Sequence, residues 1–176
     1  MERKIKRVII AGKGASGKDH LRKLMESRGF KYCISHTTRP KRDNESEGED
    51  YYFIDKGKAA EMVVADEFYE HVVFNDWLYG TSKKEFDSSN LFIMTPRGVS
   101  NLKHKDRESS LIIYLDIDEN IRLERLTKRN DADVSERRIK ADYLDFYNFS
   151  DYDLVIKDPS FTPDYNWCNL KIINND

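Results

Sequence analysis

The chain has 176 residues, 39% of them hydrophobic and 12% aromatic, which suits one domain with a packed core and excludes a disulfide scaffold or a disordered segment. Thirty basic against thirty-two acidic residues give a net charge of -2, so general attraction to nucleic acid or anionic lipid is excluded and any phosphate site must be local. Two cysteines, Cys33 and Cys168, match no zinc or disulfide pattern, and no apolar run reaches membrane-spanning length. The charged residues 1–7 lead straight into a strand with no signal-peptide pattern. A cytoplasmic monomer is expected, with neither nucleic acid nor membrane as a partner.

Val8, Ile9 and Ile10 form a short apolar run ending at Ala11 and Gly12, the pattern of a parallel strand buried on both faces. From Lys18, the apolar positions Leu21, Leu24 and Met25 recur at helical spacing until Gly29 closes the segment. Between Thr37 and Thr81 the texture changes to a polar turn-like stretch (39–50), an aromatic cluster, a helix over 56–66 and a short strand pair. Further apolar runs at 91–94 and 111–115 alternate with helical stretches at 118–129 and 135–147. Such alternation predicts an α/β domain with a mainly parallel sheet. The charge-rich residues 129–138 suggest a mobile segment, and residues 170–173 an edge strand.

Gly12, Lys13, Gly14, Ala15, Ser16, Gly17 and Lys18 spell G-x-x-x-x-G-K between a strand and a helix. In that context backbone amides curl around phosphate oxygens, the helix N-terminus adds a favourable dipole, and the lysine reaches the transferring phosphoryl group. An ordinary glycine-rich turn is the competing reading. The next residue is Asp19, where the usual loop has Ser or Thr to hold magnesium. Either Asp19 carries the ion, directly or through water, or it is a carboxylate stabilised by the helix N-terminus. A loop ending Ser-Gly-Lys-Asp is similar to that of some phage deoxynucleoside-monophosphate kinases.

Ser35, His36, Thr37, Thr38, Arg39, Pro40, Lys41 and Arg42, followed by Glu45, Gly48, Asp50 and Tyr51, concentrate cations and hydroxyls beside an aromatic. Arginine forks with a hydroxyl hold a phosphate monoester well, although a solvated basic turn is the commoner meaning of such a run. At this point the chain resembles the guanylate kinase family, with its S-x-T-T-R-x-x-R…G-x-x-Y block. Phe68, Tyr69 and Glu70, then Tyr79, Gly80 and Thr81, are similar to the family's F-x-E…Y-G-T/S segment. The resemblance runs from the loop to about Asp158. It implies that Arg39, Arg42, Tyr51 and Tyr79 grip the acceptor phosphate and that Ser35, Glu70 and Thr81 face the base. One carboxylate can accept both the N1-H and the amino group of guanine, while a hydroxyl donates to O6. Adenine would leave that carboxylate without a partner.

The family's D-x-D-x-Q-G strand is replaced here by Ile93, Met94, Thr95, Pro96, Arg97 and Gly98, so both acidic positions are lost. Asp116, Ile117 and Asp118 imitate the pattern after a later strand, with Asp118 read as a helix N-cap. The family's lid arginines correspond by resemblance to Arg125, Arg129 and Arg138, which with Lys18 would perform the catalysis. Arg122 is read instead as part of a surface helix, and His36 as a turn residue.

Together these readings predict an α/β P-loop NTPase fold: a mainly parallel sheet flanked by helices, with a core of 1–35 and 82–176. A nucleoside-monophosphate-binding subdomain at 36–81 is inserted, and a lid spans about 126–138. The activity implied is transfer from ATP with Mg2+ to GMP or dGMP. A broader deoxynucleoside-monophosphate kinase and a non-catalytic guanylate-kinase-like interaction module remain as alternatives, the second disfavoured by the complete loop.

Overall fold

Val8, Ile9, Ile10 and Ala11 carry no side-chain hydrogen-bonding group, and all four are at most 2% exposed. They form the centre of β1 (Arg7–Gly12). The computed structural model describes residues 4–74, 76–128 and 136–161, with 136–138 as backbone only. The chain divides into two compact units, one formed by Met1–Phe30 with Leu91–Asp176 and the other by Lys31–Asn90.

The first unit opens with β1 and α1 (Lys18–Glu26), which buries Leu21, Arg22 and Met25. The buried Arg22 is matched by Glu26 at 3.2 Å and by Asp19 at 3.8 Å, both at helical spacing. Helix α1 ends at Ser27, and Gly29 takes the left-handed φ of 91° that turns the chain away.

In the second unit follow β2 (His36–Thr37), β3 (Tyr52–Phe53), α2 (Lys56–Val64), β4 (Phe68–Phe74), β5 (Trp77–Ser82) and α3 (Lys83–Ser88). Asp55 caps α2 by accepting from the Lys58 amide, and Ser82 caps α3 by accepting from the Glu85 amide. The strands make a mixed sheet in the order β3-β2-β5-β4, with only β2 and β3 parallel. A register shift between Phe68 and Glu70 turns Glu70 to face Thr81. The unit is broader than the expected 36–81 because Lys31 and Asn90 are tied by two hydrogen bonds, backbone to backbone at 3.0 Å and Lys31 amide to Asn90 Oδ1 at 2.7 Å. His36, expected in a turn, is a strand residue paired with Tyr52 and Gly80.

The chain then completes the first unit with β6 (Leu91–Ile93), α4 (Pro96–Ser100), α5 (His104–Glu108), β7 (Ser110–Leu115), α6 (Glu119–Lys128), α7 (Glu136–Phe146) and β8 (Leu154–Ile156). Its sheet has the order β6-β1-β7-β8 and every described pairing is parallel, as the apolar runs predicted. Ile112, Ile113 and Leu115 from β7 and Leu91 and Phe92 from β6 are at most 1% exposed, each burial worth about 1.5–3 kcal/mol. Ala11, Tyr114 and Phe146 form a further cluster that seats α7 on the sheet. Among the described residues no helix is long and apolar enough to cross a membrane. Residues 170–173 and Cys168 lie outside them.

Candidate active site

Because β1 ends at Gly12 and α1 starts at Lys18, the intervening loop lies at the carboxyl end of a central parallel strand, where open α/β sheets bind ligands. Its glycines answer to close approach. A Cβ on Gly12 would come within 2.5 Å of Ser16 Oγ, and one on Gly17, whose φ is 98°, within 2.8 Å of the Phe161 ring. Ala15 takes a left-handed φ of 59° without being glycine. Lys18 Nζ donates to Gly12 O at 2.7 Å and to Lys13 O at 3.0 Å, so its charge rests over the loop. Ser16 Oγ is buried and has no hydrogen-bond partner among the described residues.

Three side chains far away in sequence hold this loop from behind. Arg122, only 3% exposed, donates from Nη1 to Gly14 O at 3.3 Å and from Nε to Ile117 O at 3.2 Å. The surface-helix reading of Arg122 is therefore corrected: α6 turns this cation inward, where the backbone carbonyls accept its protons. Arg125 donates to Ala15 O and Pro159 O, each at 3.1 Å, so it acts on the carbonyl side of the loop. Asp142 on α7 accepts from the Gly14 amide at 2.7 Å. No local pattern around Asp142 signalled this contact, which spans 128 residues. Arg129 lies outside the described residues, as does the side chain of Arg138.

In the second unit the block expected to bind phosphate is assembled around one carboxylate. Arg39 donates to Glu45 Oε1 at 2.6 Å and to Pro40 O at 2.7 Å, and its guanidinium lies 5.5 Å from the Tyr51 ring and 5.8 Å from that of Phe53. The Arg42 amide donates to Glu45 Oε2 at 2.9 Å, with its guanidinium 3.8 Å from Oε1. Burial is the largest single influence and opposes the charges of Arg39 and Glu45, but their mutual hydrogen bond, the Arg42 amide on Glu45 and the surrounding charges together outweigh it, raising the guanidinium pKa and holding the carboxyl below its usual range. Tyr79 meets Tyr51 edge to face at 6.1 Å. Arg39, Arg42, Tyr51 and Tyr79 thus come together, with Glu45 orienting both arginines.

Register places Glu70 opposite Thr81 and Val72 opposite Tyr79, on one face of the β4–β5 pair. Burial raises the Glu70 pKa, partly countered by hydrogen bonds from the Thr81 hydroxyl and amide. The hydroxyl lies 2.8 Å from Glu70 Oε1. An ionised carboxylate only accepts, so Thr81 gives its single hydroxyl proton to Glu70. Ser35, half-buried just before β2, anchors β3 by accepting the Tyr52 amide on its carbonyl. Cys33 lies buried in this unit, and burial together with Glu85 and Glu70 pushes its thiol pKa far up.

Asp19 projects into solvent, its side chain 70% exposed, in the first turn of α1. Thr95 caps α4 through a 3.1 Å bond from the Gly98 amide, and Asp118 accepts the Asn120 amide at 2.9 Å as the expected cap of α6. Among the described residues no three His, Cys, Asp or Glu side chains collect into a metal-binding group.

The family model described as guanylate kinase matches residues 4–168 of this chain. The chain belongs to the guanylate kinase family. It is 37% identical over 164 residues to the guanylate kinase of Legionella pneumophila (strain Paris), covering 85% of this chain and 77% of that relative. Against the guanylate kinase of Sus scrofa the identity is 29% over 172 residues, with 90% and 87% covered. The crystal structure of guanylate kinase from Anaplasma phagocytophilum aligns with a TM-score of 0.66 and 23% identity, over 91% of this chain and 81% of that one, and agrees with the α/β fold. As a guanylate kinase family member, the protein is a nucleotide-binding transferase of the nucleoside-monophosphate kinase class.

Proposed function

We propose that the protein transfers the terminal phosphoryl group of ATP to GMP or dGMP, with the second unit as acceptor-binding subdomain and residues 126–138 as the lid. The observation that carries this reading is the Glu70–Thr81 pair at 2.8 Å, on the same sheet face as Tyr79. Thr81 and Tyr79 are two residues apart on β5, about 7 Å of strand, so a nucleotide laid along the face can meet Glu70 with its base and the arginines with its phosphate. Glu70 accepts the N1-H and the amino group of guanine. Because Thr81 donates to Glu70, the donor to O6 falls to Ser35.

ATP lies on the loop, its phosphates met by backbone amides, Lys18 and the dipole of α1. The unpartnered Ser16 hydroxyl and the glycines without room for a Cβ fit a polyphosphate at this place. Mg2+ would accompany the nucleotide, and Asp19, exposed in the first turn of α1, is the residue that would hold it, directly or through water. The ion supplies charge neutralisation at the phosphates. Transfer needs no strong general base; Lys18, Arg129 and Arg138 spread the developing charge, while Arg125 positions the loop.

Turnover of GMP, dGMP, AMP, dTMP and dCMP with ATP, with and without magnesium, tests the reading. GMP or dGMP as the preferred acceptor supports it. Comparable rates with dTMP or dCMP would establish the broader kinase instead. Binding of ATP by calorimetry separates either enzyme from an interaction module.

A further inference from the structure

We infer that Asp142 is a positioning residue of the phosphate loop, locking the Gly14 peptide so that the strained curl at Ala15 is already formed before ATP arrives. The inference rests on the kinase reading for its kinetic test, but its geometry stands apart from it. Asp142 is only 9% exposed and accepts the Gly14 amide at 2.7 Å. The other end of the same residue, Gly14 O, is held by Arg122 at 3.3 Å, and the next carbonyl, Ala15 O, by Arg125 at 3.1 Å. Three charged groups thus fix two consecutive residues of one loop, and they come from α6 and α7, the helices that precede and follow residues 129–135 in the chain.

Two features argue that this clamp serves binding as well as packing. A buried carboxylate beside a polyphosphate site is electrostatically unfavourable towards the ligand, and an amide in such a loop would by default turn to the phosphate. Asp142 takes the Gly14 amide away from that task. What it gives in return lies one residue further on: Ala15 sits at φ 59°, a left-handed conformation that is strained for any non-glycine residue. Such strain persists only where the surroundings over-determine it, and the clamps at Gly14 N, Gly14 O and Ala15 O are those surroundings. Without Asp142 the loop relaxes, and ATP must reorder it on binding.

The test uses the full chain and ATP with magnesium, read both as ATP affinity without acceptor and as separate KM values for ATP and GMP. Asp142→Ala is expected to weaken ATP binding about tenfold or more, the loss of one charge-assisted hydrogen bond, while KM for GMP stays within about twofold. Asp142→Asn keeps an oxygen acceptor and should recover most of that loss. Ala15→Gly placed on Asp142→Ala should recover part of it, because glycine takes the left-handed φ without strain. Phe146→Leu, lower on the same helix, controls for general loosening and should lower Tm without separating the two KM values.

Equal rises in both KM values, an Asn variant as weak as the Ala variant, or no rescue by Ala15→Gly overturns the proposal. Should Asp142→Ala not fold, Asp142→Glu displaces the same oxygen by one methylene and must show the same selective loss; unchanged ATP affinity in that variant equally overturns it. Since ATP affinity is read without acceptor, failure of the wild type to phosphorylate GMP would sink the guanylate assignment and leave this test standing.

Discussion

The two units build their charged sites by opposite routes. In the acceptor unit the decisive contacts are short in sequence: Arg39 and Arg42 reach Glu45 across six and three residues, and Thr81 reaches Glu70 across eleven. In the loop unit the contacts that shape the phosphate site span 108, 110 and 128 residues, from Arg122, Arg125 and Asp142. A site made of neighbours can be held by its own turn and hairpin. A loop with left-handed residues needs a frame assembled from the rest of the sheet's helices. Acceptor recognition and donor-site shape should therefore respond to mutation separately.

The largest expected effect breaks the donor side alone. Lys18→Ala removes the cation that lies over the loop and should reduce kcat by about 10²–10³-fold, the range for deleting one preorganised charge donor, with little change in monophosphate binding. Steady-state kinetics with both substrates varied checks this. Next in size, Arg39→Ala takes a guanidinium from the proposed acceptor-phosphate site and leaves Glu45 partly unpaired, raising KM for GMP about 10–100-fold. ATP affinity, measured by calorimetry, should not follow it. A parallel fall in ATP affinity would deny the separation of the two sites.

A subtler effect concerns protons. Burial raises the Glu70 pKa above its ordinary value of 4.5, so its ionised form is lost at a higher pH than that of an exposed carboxylate as pH falls. Guanine needs the ionised form, and KM for GMP should therefore climb between neutral and mildly acidic pH while KM for ATP does not share the climb. The stability sign is opposite. A carboxyl with a raised folded pKa favours the fold while protonated, and that contribution is lost as pH rises through the folded value, so at pH 7 Glu70 is a cost. Glu70→Gln should then raise Tm at neutral pH and flatten the pH profile of KM for GMP. The smallest effect belongs to Asp19→Ser. Its exposed position at the α1 N-terminus limits the stability change to about 1 kcal/mol or less, whereas the magnesium concentration giving half-maximal turnover should shift if Asp19 holds the ion.

The same contrast explains what the sequence alone disclosed. β1, β6, β7 and the loop glycines Gly12 and Gly17 were legible because strand runs and the G-x-x-x-x-G-K spacing are written in adjacent residues. The clustering of Arg39, Arg42, Tyr51 and Tyr79 was legible because they belong to spaced motifs in one order. Arg122 was misread, since a helix laced with pairs such as Glu124 and Lys128 has the pattern of a solvated face. Asp142 carried no signal at all: one carboxylate on a polar helix declares its partner only when α7 docks on Tyr114 through Phe146. The contact between Thr81 and Glu70 was not legible either, because it depends on the register shift that brings Glu70 opposite Thr81.

The central claim is that Glu70, held by Thr81, reads guanine for a phosphoryl transfer from ATP. Its most direct test is the ratio of kcat/KM for GMP to that for AMP in the wild type and in Glu70→Gln. A site built to hydrogen-bond its substrate should prefer GMP by about 10⁴-fold and lose most of that preference in the variant. Equal use of AMP and GMP by the wild type, or a ratio unmoved by Glu70→Gln, would contradict it.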